Sequence, residues 1–425
     1  MANNLSSNTS DLVIRTFLDA FTCDQVLTKT VDTQLITGEI NPRTGDRVRI
    51  KRPHQYRSKR TVDGDISQLT RNDIISGSAF AEVQDYITVD IEYGQLEEAI
   101  ELDQLDQIIK PAAKQMIADL EVSLARYMNE QSALQLGTAG TALTKWSDVA
   151  QTGSMLDSLG VPQDEWYAVM SPFNIQSLAD AQGQLSSGSN NLVDTAWERA
   201  QISTNFGGIR AISSNCLTQH TNGAHAGTIT VSATPTATYA SVKDTYIRTI
   251  ILAGFTPSTG GLLAGDVLEF DDNSRNFINI KSREAFSGPG GVPVKFTAVV
   301  TADAVADGGG LVTALITAPI FETEGQYNNI SSPITSGDAV TVISGAANST
   351  QNPNLFYHKQ AFGLGTVVLP KLHATESSVI SEGGFSIRMT KDSSVLENKQ
   401  IVRFDLLPTF ATFNPLFAGR FYGNP

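Results

Sequence analysis

The stretch that decides the fold is residues 96–137, which read LEEAIELDQLDQIIKPAAKQMIADLEVSLARYMNEQSALQLG. Apolar side chains recur at steps of three and four and predict an amphipathic helix that Gly137 closes. Pro111 cannot lie deep inside an unbroken helix, so we expect an acidic helix up to about Ile109 and a longer helix with Pro111 in its first turn. The second helix would be roughly 39 Å long and would cross a sheet as a spine. A helix in any large α/β enzyme is the alternative.

Two blocks of opposite charge precede this helix, and the second one continues into its first turns. Residues 43–60 carry eight Lys or Arg against one Asp, and residues 82–109 carry nine carboxylates and no basic residue. Such a density of like charge is unfavourable within one subunit but is relieved when the basic arm of one copy meets the acidic face of another. The pattern therefore indicates self-association, and two solvated faces are the alternative.

Upstream of the helix the chain alternates between short amphipathic and extended segments. Ser10 is a candidate N-cap for a helix with an apolar face formed by Leu12, Val13, Phe17, Leu18 and Phe21. Extended segments are predicted around Val48 and Ile50 and over residues 86–91. Residues 52–77 are too polar to form a core, so we expect them to project as a two-stranded loop that needs a partner surface, such as another subunit.

Downstream of the helix the pattern is mixed α/β and then all-β. Residues 166–170 predict a buried strand, Ser171 and Pro172 the start of a helix, residues 192–201 a further helical segment, and residues 208–212 a strand. Residues 227–345 hold 14 of the 34 glycines and only six Lys or Arg. Short runs between turn signals there predict the strands of a small barrel or sandwich, at 228–231, 246–252, 267–270, 277–281, 294–301, 311–318 and 339–344.

Composition excludes several functional classes. A net charge of −14 over 425 residues argues against a general nucleic-acid binder, and Cys23 and Cys216 match no metal or redox spacing. We expect neither a secretory signal nor a membrane span. The five histidines are scattered, and the sequence contains no phosphate loop, zinc motif or nucleophile elbow. We therefore expect no enzyme activity, no catalytic, cofactor-binding or metal-ligating residues, and no cofactor.

Several strings of the sequence, taken with this order of parts, resemble a known family. They are GEIN at 38–41, KRPHQ at 51–55, GDIS at 64–67, QLEEAI at 95–100, KWSDVAQ at 145–151, NFGGIRA at 205–211 and FDLLP at 404–408. The chain resembles the major capsid proteins of tailed bacteriophages with the HK-ninety-seven fold. Within them it is similar to the coat proteins of short-tailed Salmonella and Shigella phages, which carry an inserted β-barrel. The resemblance runs nearly end to end, and the insert matches in position and length more than in residues.

The resemblance implies an α+β phage major-capsid fold with an N-terminal arm, an extended β loop, a spine helix, an axial α/β domain and an inserted all-β barrel. The expected segments are an arm (1–39), the extended loop and peripheral strands (40–92), the spine helix (93–145), the axial domain (146–222), the inserted barrel (223–348), and the rest of the axial and peripheral domains with a closing strand (349–425). The two junctions of the insert, residues 219–226 and 346–353, are polar, and we expect them to lie close together.

The resemblance also implies a function and partners. The chain would form hexamers and pentamers of an icosahedral shell, assembled with a scaffolding protein and a portal protein in the host cytoplasm. The shell would become the virion capsid and enclose double-stranded DNA without binding it specifically, away from any membrane.

Residues of the two charge blocks would contact each other between subunits. They are Arg43, Arg47, Arg49, Lys51, Arg52, Arg57, Lys59, Arg60, Glu97, Glu98, Glu101, Asp103 and Asp106. The insert would touch a neighbour through residues 254–261 or 281–292.

Two other function classes compete with this interpretation. In the first class, the β insert is a receptor- or glycan-binding module. Several of its aromatic residues alternate into a core, which makes this class weaker than the capsid interpretation. The second is a hydrolase whose residues are gathered from distant segments. Binding to a glycan panel would favour the first, and turnover of generic esters or phosphates the second.

Overall fold

A computed structural model gives the fold of most of the chain. It describes residues 16–18, 20–21, 25–33, 47–94, 105–183, 205–206, 208–271, 274–323, 325–372, 376–382, 385–394 and 399–424. Within these ranges no helix is both long and apolar enough to cross a bilayer. The predicted helical segment at 192–201 lies outside the described residues, as do Ser10, Leu12 and Val13.

Strands outnumber helices along the described chain. The helices are α1 (Leu105–Gln131), α2 (Trp146–Leu159), α3 (Pro172–Gly183) and the single turn α4 (Tyr239–Val242). The first twelve strands are β1 (Arg47–Lys51), β2 (Ser78–Val83), β3 (Ile87–Gly94), β4 (Leu134–Leu136), β5 (Trp166–Met170), β6 (Asn205–Phe206), β7 (Ile209–Ser213), β8 (His220–Thr221), β9 (Ile229–Val231), β10 (Ile247–Ala253), β11 (Gly261–Leu262) and β12 (Val267–Phe270). The remaining strands are β13 (Thr297–Val299), β14 (Ala304–Val305), β15 (Val312–Thr317), β16 (Ala339–Val342), β17 (Thr350–Gln351), β18 (Asn354–His358), β19 (Phe362–Thr366), β20 (Glu376–Glu382), β21 (Phe385–Ser394), β22 (Lys399–Leu406), β23 (Pro408–Thr412) and β24 (Ala418–Phe421).

The chain divides into two compact units. Unit 1 comprises Met1–Arg49, Phe80–Ala125 and Phe362–Thr412, and unit 2 comprises Ile50–Ala79, Arg126–Ala361 and Phe413–Pro425. Unit 1 is built on an antiparallel sheet of order β20-β21-β22-β3 and on a second sheet of order β1-β2-β23-β19. The bounds of the six predicted segments stay predictions.

The N-terminal arm packs on unit 1. Phe17 and Phe21 are fully buried, and the Phe17 ring stacks on Phe404 with 4.1 Å between centroids. A carboxylate oxygen of Glu121, on α1, accepts hydrogen bonds from the backbone amides of Val26 and Leu27, the latter at 2.9 Å. The predicted apolar face of the arm is therefore buried where it is described, and a buried carboxylate holds the segment that follows.

The spine helix differs from the prediction. It is one helix, α1, that passes through Pro111, so the expected break before Pro111 is wrong. Proline there removes one main-chain hydrogen bond, and burial of Ala113, Met116 and Leu120 offsets that loss. The helix also stops at Gln131 rather than near Gly137. The reason is that β4 leaves the helical path to pair in parallel with β24.

Unit 2 contains a six-stranded sheet of order β4-β24-β18-β5-β7-β6. Strand β5 lies between an antiparallel and a parallel neighbour, and all five of its residues are buried, as a central strand covered on both faces requires. Helix α3 begins at Pro172, where the Ser171 hydroxyl accepts a 3.4 Å bond from the amide of Asn174. The predictions for this strand and for this helix start are confirmed.

The all-β segment forms a second six-stranded sheet in unit 2, of order β13-β12-β16-β9-β10-β15. Its two end strands meet through an antiparallel bridge between Val300 and Ile316, and the Thr301 amide donates to the Leu315 carbonyl at 2.9 Å. The sheet therefore closes into a barrel. Its interior is apolar and merges with the core of the first sheet in one buried cluster.

The prediction of a barrel strand at residues 277–281 is wrong. This segment makes only isolated bridges, because its backbone groups bond elsewhere. The Ile280 amide donates to the Leu159 carbonyl at 2.9 Å, and the Asn279 side-chain amide donates to the Ser158 carbonyl at 2.7 Å. The segment thus donates hydrogen bonds to carbonyls at the end of α2 that have no partner within the helix. The helix ends before Gly160, which adopts the left-handed conformation with a φ of 84°.

The two ends of the all-β segment lie side by side. Strands β8 and β17 pair antiparallel, with Thr221 opposite Thr350. Asn222 adds bonds from its side-chain amide to the Ser349 carbonyl (3.0 Å) and hydroxyl (3.2 Å). The chain therefore leaves and re-enters the first sheet of unit 2 at one place, as the polar junctions led us to expect.

Candidate assembly interface

The structure covers the basic block of the sequence better than the acidic one. Arg47, Arg49 and Lys51 lie on β1, whereas Arg43 falls outside the described residues. Asp106 lies near the start of α1, but Glu97, Glu98, Glu101 and Asp103 also fall outside the described residues. The structure therefore shows neither the acidic surface nor its contact with the basic block.

The predicted loop leaves unit 2 as two antiparallel segments. We call residues 52–57 and 72–78 the loop base and residues 58–71 the loop tip. The Arg52 amide donates to the Gly77 carbonyl at 2.8 Å. Farther out, the Asn72 side chain donates to the Arg57 carbonyl at 2.9 Å and accepts from the Arg57 amide at 3.3 Å. One asparagine thus ties the two segments together where the base becomes the tip.

The loop tip exposes apolar and basic side chains together. Val62 is fully exposed, and Ile66 (55%) and Leu69 (38%) are also exposed. Arg60 and Arg71 are exposed beside them, and Lys59 is half-buried. Local bonds shape the tip, including the donation from the Ser67 amide to Asp65 at 2.8 Å. Exposed apolar groups on a projecting segment are typical of an interaction surface.

The loop base rests on the barrel of its own chain. The Gln326 side chain donates to the carbonyls of Asp73 (2.6 Å) and Gln55 (3.0 Å) and accepts from the Asp73 amide (3.1 Å). Arg283 donates to the Gln55 side chain at 2.9 Å. Because Gln55 and Asp73 belong to opposite segments, a single barrel side chain fixes both.

Tyrosine side chains form a shelf beneath the loop base. The rings of Tyr239 and Tyr327 stack with centroids 3.7 Å apart, and the Tyr327 hydroxyl donates to the Ile75 carbonyl at 3.3 Å. Ile75 packs on the small apolar cluster that contains these two rings and Ile320. Burial raises the pKa of Tyr239 to about 12. The Tyr239 hydroxyl is therefore uncharged at neutral pH.

Arg52 faces into the protein rather than toward solvent. Its guanidinium carbon lies 5.2 Å from the ring centroid of Tyr246, and its Nη1 donates to the Phe413 carbonyl. Burial lowers the pKa of Arg52, although the neighbouring Tyr246 opposes this. Arg52 therefore acts within its own chain, unlike the exposed Lys51 and Arg60.

The return segment of the base is anchored by Asp244. One oxygen of this carboxylate accepts from the Ser78 amide (3.0 Å) and hydroxyl (2.9 Å). Burial opposes ionisation of Asp244, but the bonds from Ser78 and Lys243 outweigh it and hold its pKa below the usual value. A β-carbon on the adjacent Gly77 would lie 2.5 Å from the Lys243 carbonyl oxygen. We call Tyr239, Asp244, Tyr246, Gln326 and Tyr327 the loop seat.

The described residues offer little for other chemistry. No group of three or more His, Cys, Asp or Glu among them is arranged to hold a metal ion. The barrel aromatics Phe255, Phe270, Phe277 and Phe296 are buried, so these four rings do not form a surface for stacking on sugars.

The comparison with protein families covers nearly the whole chain. A family model described as "P22 coat protein - gene protein 5" matches residues 1–423. The chain belongs to the P22 coat protein family. One full-length relative is the "Major capsid protein" of Acyrthosiphon pisum secondary endosymbiont phage 1. It is 48% identical over 428 residues, and the match covers 100% of both chains. The resemblance to phage major capsid proteins, the fold class and the place in the virion capsid are therefore confirmed.

Two solved phage structures are similar to this P22-type coat protein at much lower sequence identity. The capsid structure of the cyanophage P-SCSP1u has a TM-score of 0.43 and 11% identity, covering 93% of this chain and 87% of that chain. A Mycobacterium phage Che8 structure has a TM-score of 0.45 and 10% identity, covering 94% and 91%.

The sequence did not predict the loop seat. The basic block on the loop was visible, but its attachment to Asp244 and Gln326 pairs positions far apart in the chain. The available signal was the polarity of residues 52–77, which predicted the need for a partner surface. For the loop base that surface is the barrel of the same coat protein.

Proposed function

We propose that this coat protein builds an icosahedral shell of hexamers and pentamers and that the loop tip supplies a contact between subunits. In this proposal a scaffolding protein and a portal protein take part in assembly, and the shell encloses double-stranded DNA without gripping it. The net charge of −14 supports the last point, because a wall of that charge binds phosphate weakly. We further propose that the chain has no catalytic activity.

The observation that carries the proposed contact is the composition of the loop tip. It presents the exposed apolar side chains Val62, Ile66 and Leu69 next to Arg60 and Arg71. Such a surface gains apolar burial and loses like-charge repulsion when it lies on an acidic, partly apolar partner. A second copy offers residues 97–106, which contain five carboxylates and four Leu, Ile or Ala residues.

The test compares assembly of the wild-type chain with that of a loop-tip variant. Each chain is expressed with and without a scaffolding protein, and the products are examined by sedimentation and electron microscopy. The wild type should give closed shells that are regular only with scaffold. Lys59→Glu/Arg60→Glu should remain a folded monomer and form few or no shells. Normal shells from this variant would refute the role of the loop tip.

The matched control is Lys145→Glu/Lys371→Glu. Both side chains are exposed and lie outside the loop, and the variant changes the net charge by the same amount. It should assemble as the wild type does. Equal loss of shells in both variants would mean that total charge, rather than the loop tip, governs assembly.

A further inference from the structure

The barrel contacts the loop base at several points on both of its segments. The loop seat receives the outgoing segment through Gln55 and the return segment through Asp73, Ile75 and Ser78. These bonds combine with the stacked tyrosines and the packing of Ile75. Hydrogen bonds at both segments, with an apolar shelf between them, leave the base little freedom to pivot.

The rigidity of the base extends to the loop tip through one pair. Asn72 bonds both the amide and the carbonyl of Arg57, directly beyond the positions that Gln326 holds. Past this pair, local hydrogen bonds hold the loop tip, such as that from the Leu69 amide to the Ile66 carbonyl at 3.1 Å. The direction in which the tip leaves the subunit is therefore set at its base.

We propose that the barrel is a positioning platform: its loop seat fixes the direction of the basic loop before subunits meet, so the barrel governs a contact between subunits that it does not itself form. This proposal rests on the proposed role of the loop tip. It assigns Gln326 and Tyr327 as positioning residues that act through the loop base. A free loop would lose conformational entropy on docking, and a seated loop has lost most of it already.

The sharpest probe is Gln326→Ala, because it removes three bonds to two loop segments from a residue outside the loop. Hydrogen exchange on the monomer should show roughly tenfold faster exchange at the Asp73 amide and elsewhere in the loop base. Exchange in barrel strands β10 and β15 should be unchanged. The yield of closed shells should fall several-fold.

Two further variants guard against simple misfolding. Tyr327→Phe keeps the ring stack and removes only the bond to Ile75, so it should give a smaller change in the same direction. Thr341→Ala alters an exposed barrel position outside the seat and should match the wild type in exchange and in shell yield. If Gln326→Ala fails to fold, Tyr327→Phe takes its place in the test.

The outcomes separate this inference from the function on which it rests. If Lys59→Glu/Arg60→Glu assembles normally, the role of the loop tip fails. If that variant is blocked while Gln326→Ala exchanges and assembles like the wild type, only the positioning role of the barrel is overturned. Faster exchange in the loop base with unchanged shell yield would also overturn it, because the seat would then not matter for assembly.

Discussion

The guanidinium of Arg52 lies over the ring of Tyr246, 5.2 Å from its centroid, and so joins the start of the basic loop to the barrel. In the sequence Arg52 is one of eight equivalent cations. In the structure it is half-buried and donates to the Phe413 carbonyl. Cations of the same block therefore serve different purposes, and variants must distinguish them.

Arg52→Ala should destabilise the monomer. The change removes a partly buried hydrogen bond and the contact with the Tyr246 ring, so we expect a loss of about 2 kcal/mol in the free energy of unfolding. Arg60→Ala, at an exposed position, should change it by less than about 0.5 kcal/mol. Urea unfolding of both monomers measures the difference, and equal stabilities would contradict the inward role of Arg52.

A charge exchange tests which surface the loop tip meets. Lys59→Glu/Arg60→Glu should block shell formation, and adding Glu97→Lys/Glu98→Lys in the same chain should restore a measurable fraction of it. The reason is that opposite charges again face each other across the contact. Electron microscopy of lysates provides the measurement. Failure of the combined variant, with the monomer folded, would place the partner surface elsewhere than residues 97–106.

Gly77→Ala should weaken the attachment of the loop base. The new methyl group would meet the Lys243 backbone carbonyl at 2.5 Å, and backbone cannot yield as a flexible side chain can. We expect a loss of about 1–3 kcal/mol from such overpacking. Gly64→Ala is a useful comparison, because Gly64 has open space around it but a φ of +78°. Faster hydrogen exchange near Ser78 in Gly77→Ala alone would support the tight fit.

The pH dependence of unit 1 should reflect Asp405. Its buried carboxylate accepts bonds from Arg388 (2.7 Å), Arg403 (2.6 Å) and Thr88 (2.8 Å). Burial alone would raise the pKa of Asp405, but these bonds outweigh it and hold the pKa below 3.8. The folded-state pKa is thus depressed. Its stabilising contribution is complete above pH 3.8 and is lost as the pH falls through the lower folded-state value.

Asp405→Asn should therefore remove part of the acid sensitivity. At neutral pH the variant should be less stable by about 3 kcal/mol, since Arg388 is left buried without its charged partner. Its stability should fall less steeply than that of the wild type as the pH drops below about 4. Thermal unfolding as a function of pH measures both effects, and parallel curves would show that Asp405 is not the titrating group.

Local patterns predicted many elements correctly. The period of apolar residues identified the spine helix, and alternation between turn signals located barrel strands such as β12 and β15. Errors occurred where distant partners decided the outcome. Pro111 stays inside α1 because buried neighbours hold the helix on both sides, and residues 277–281 bond the end of α2 instead of a strand.

The sequence by itself determined the α+β class, the family and the complementary charge blocks, because these depend on composition, periodicity and strings of neighbouring residues. Only the tertiary structure decided that Arg52 turns inward and that Gln326 holds Gln55 and Asp73. A side-chain amide forms these bonds with any backbone it meets, so nothing local marks its partner. Positions 55, 73 and 326 meet only when the loop base folds onto the all-β segment, and that contact is a property of the whole fold.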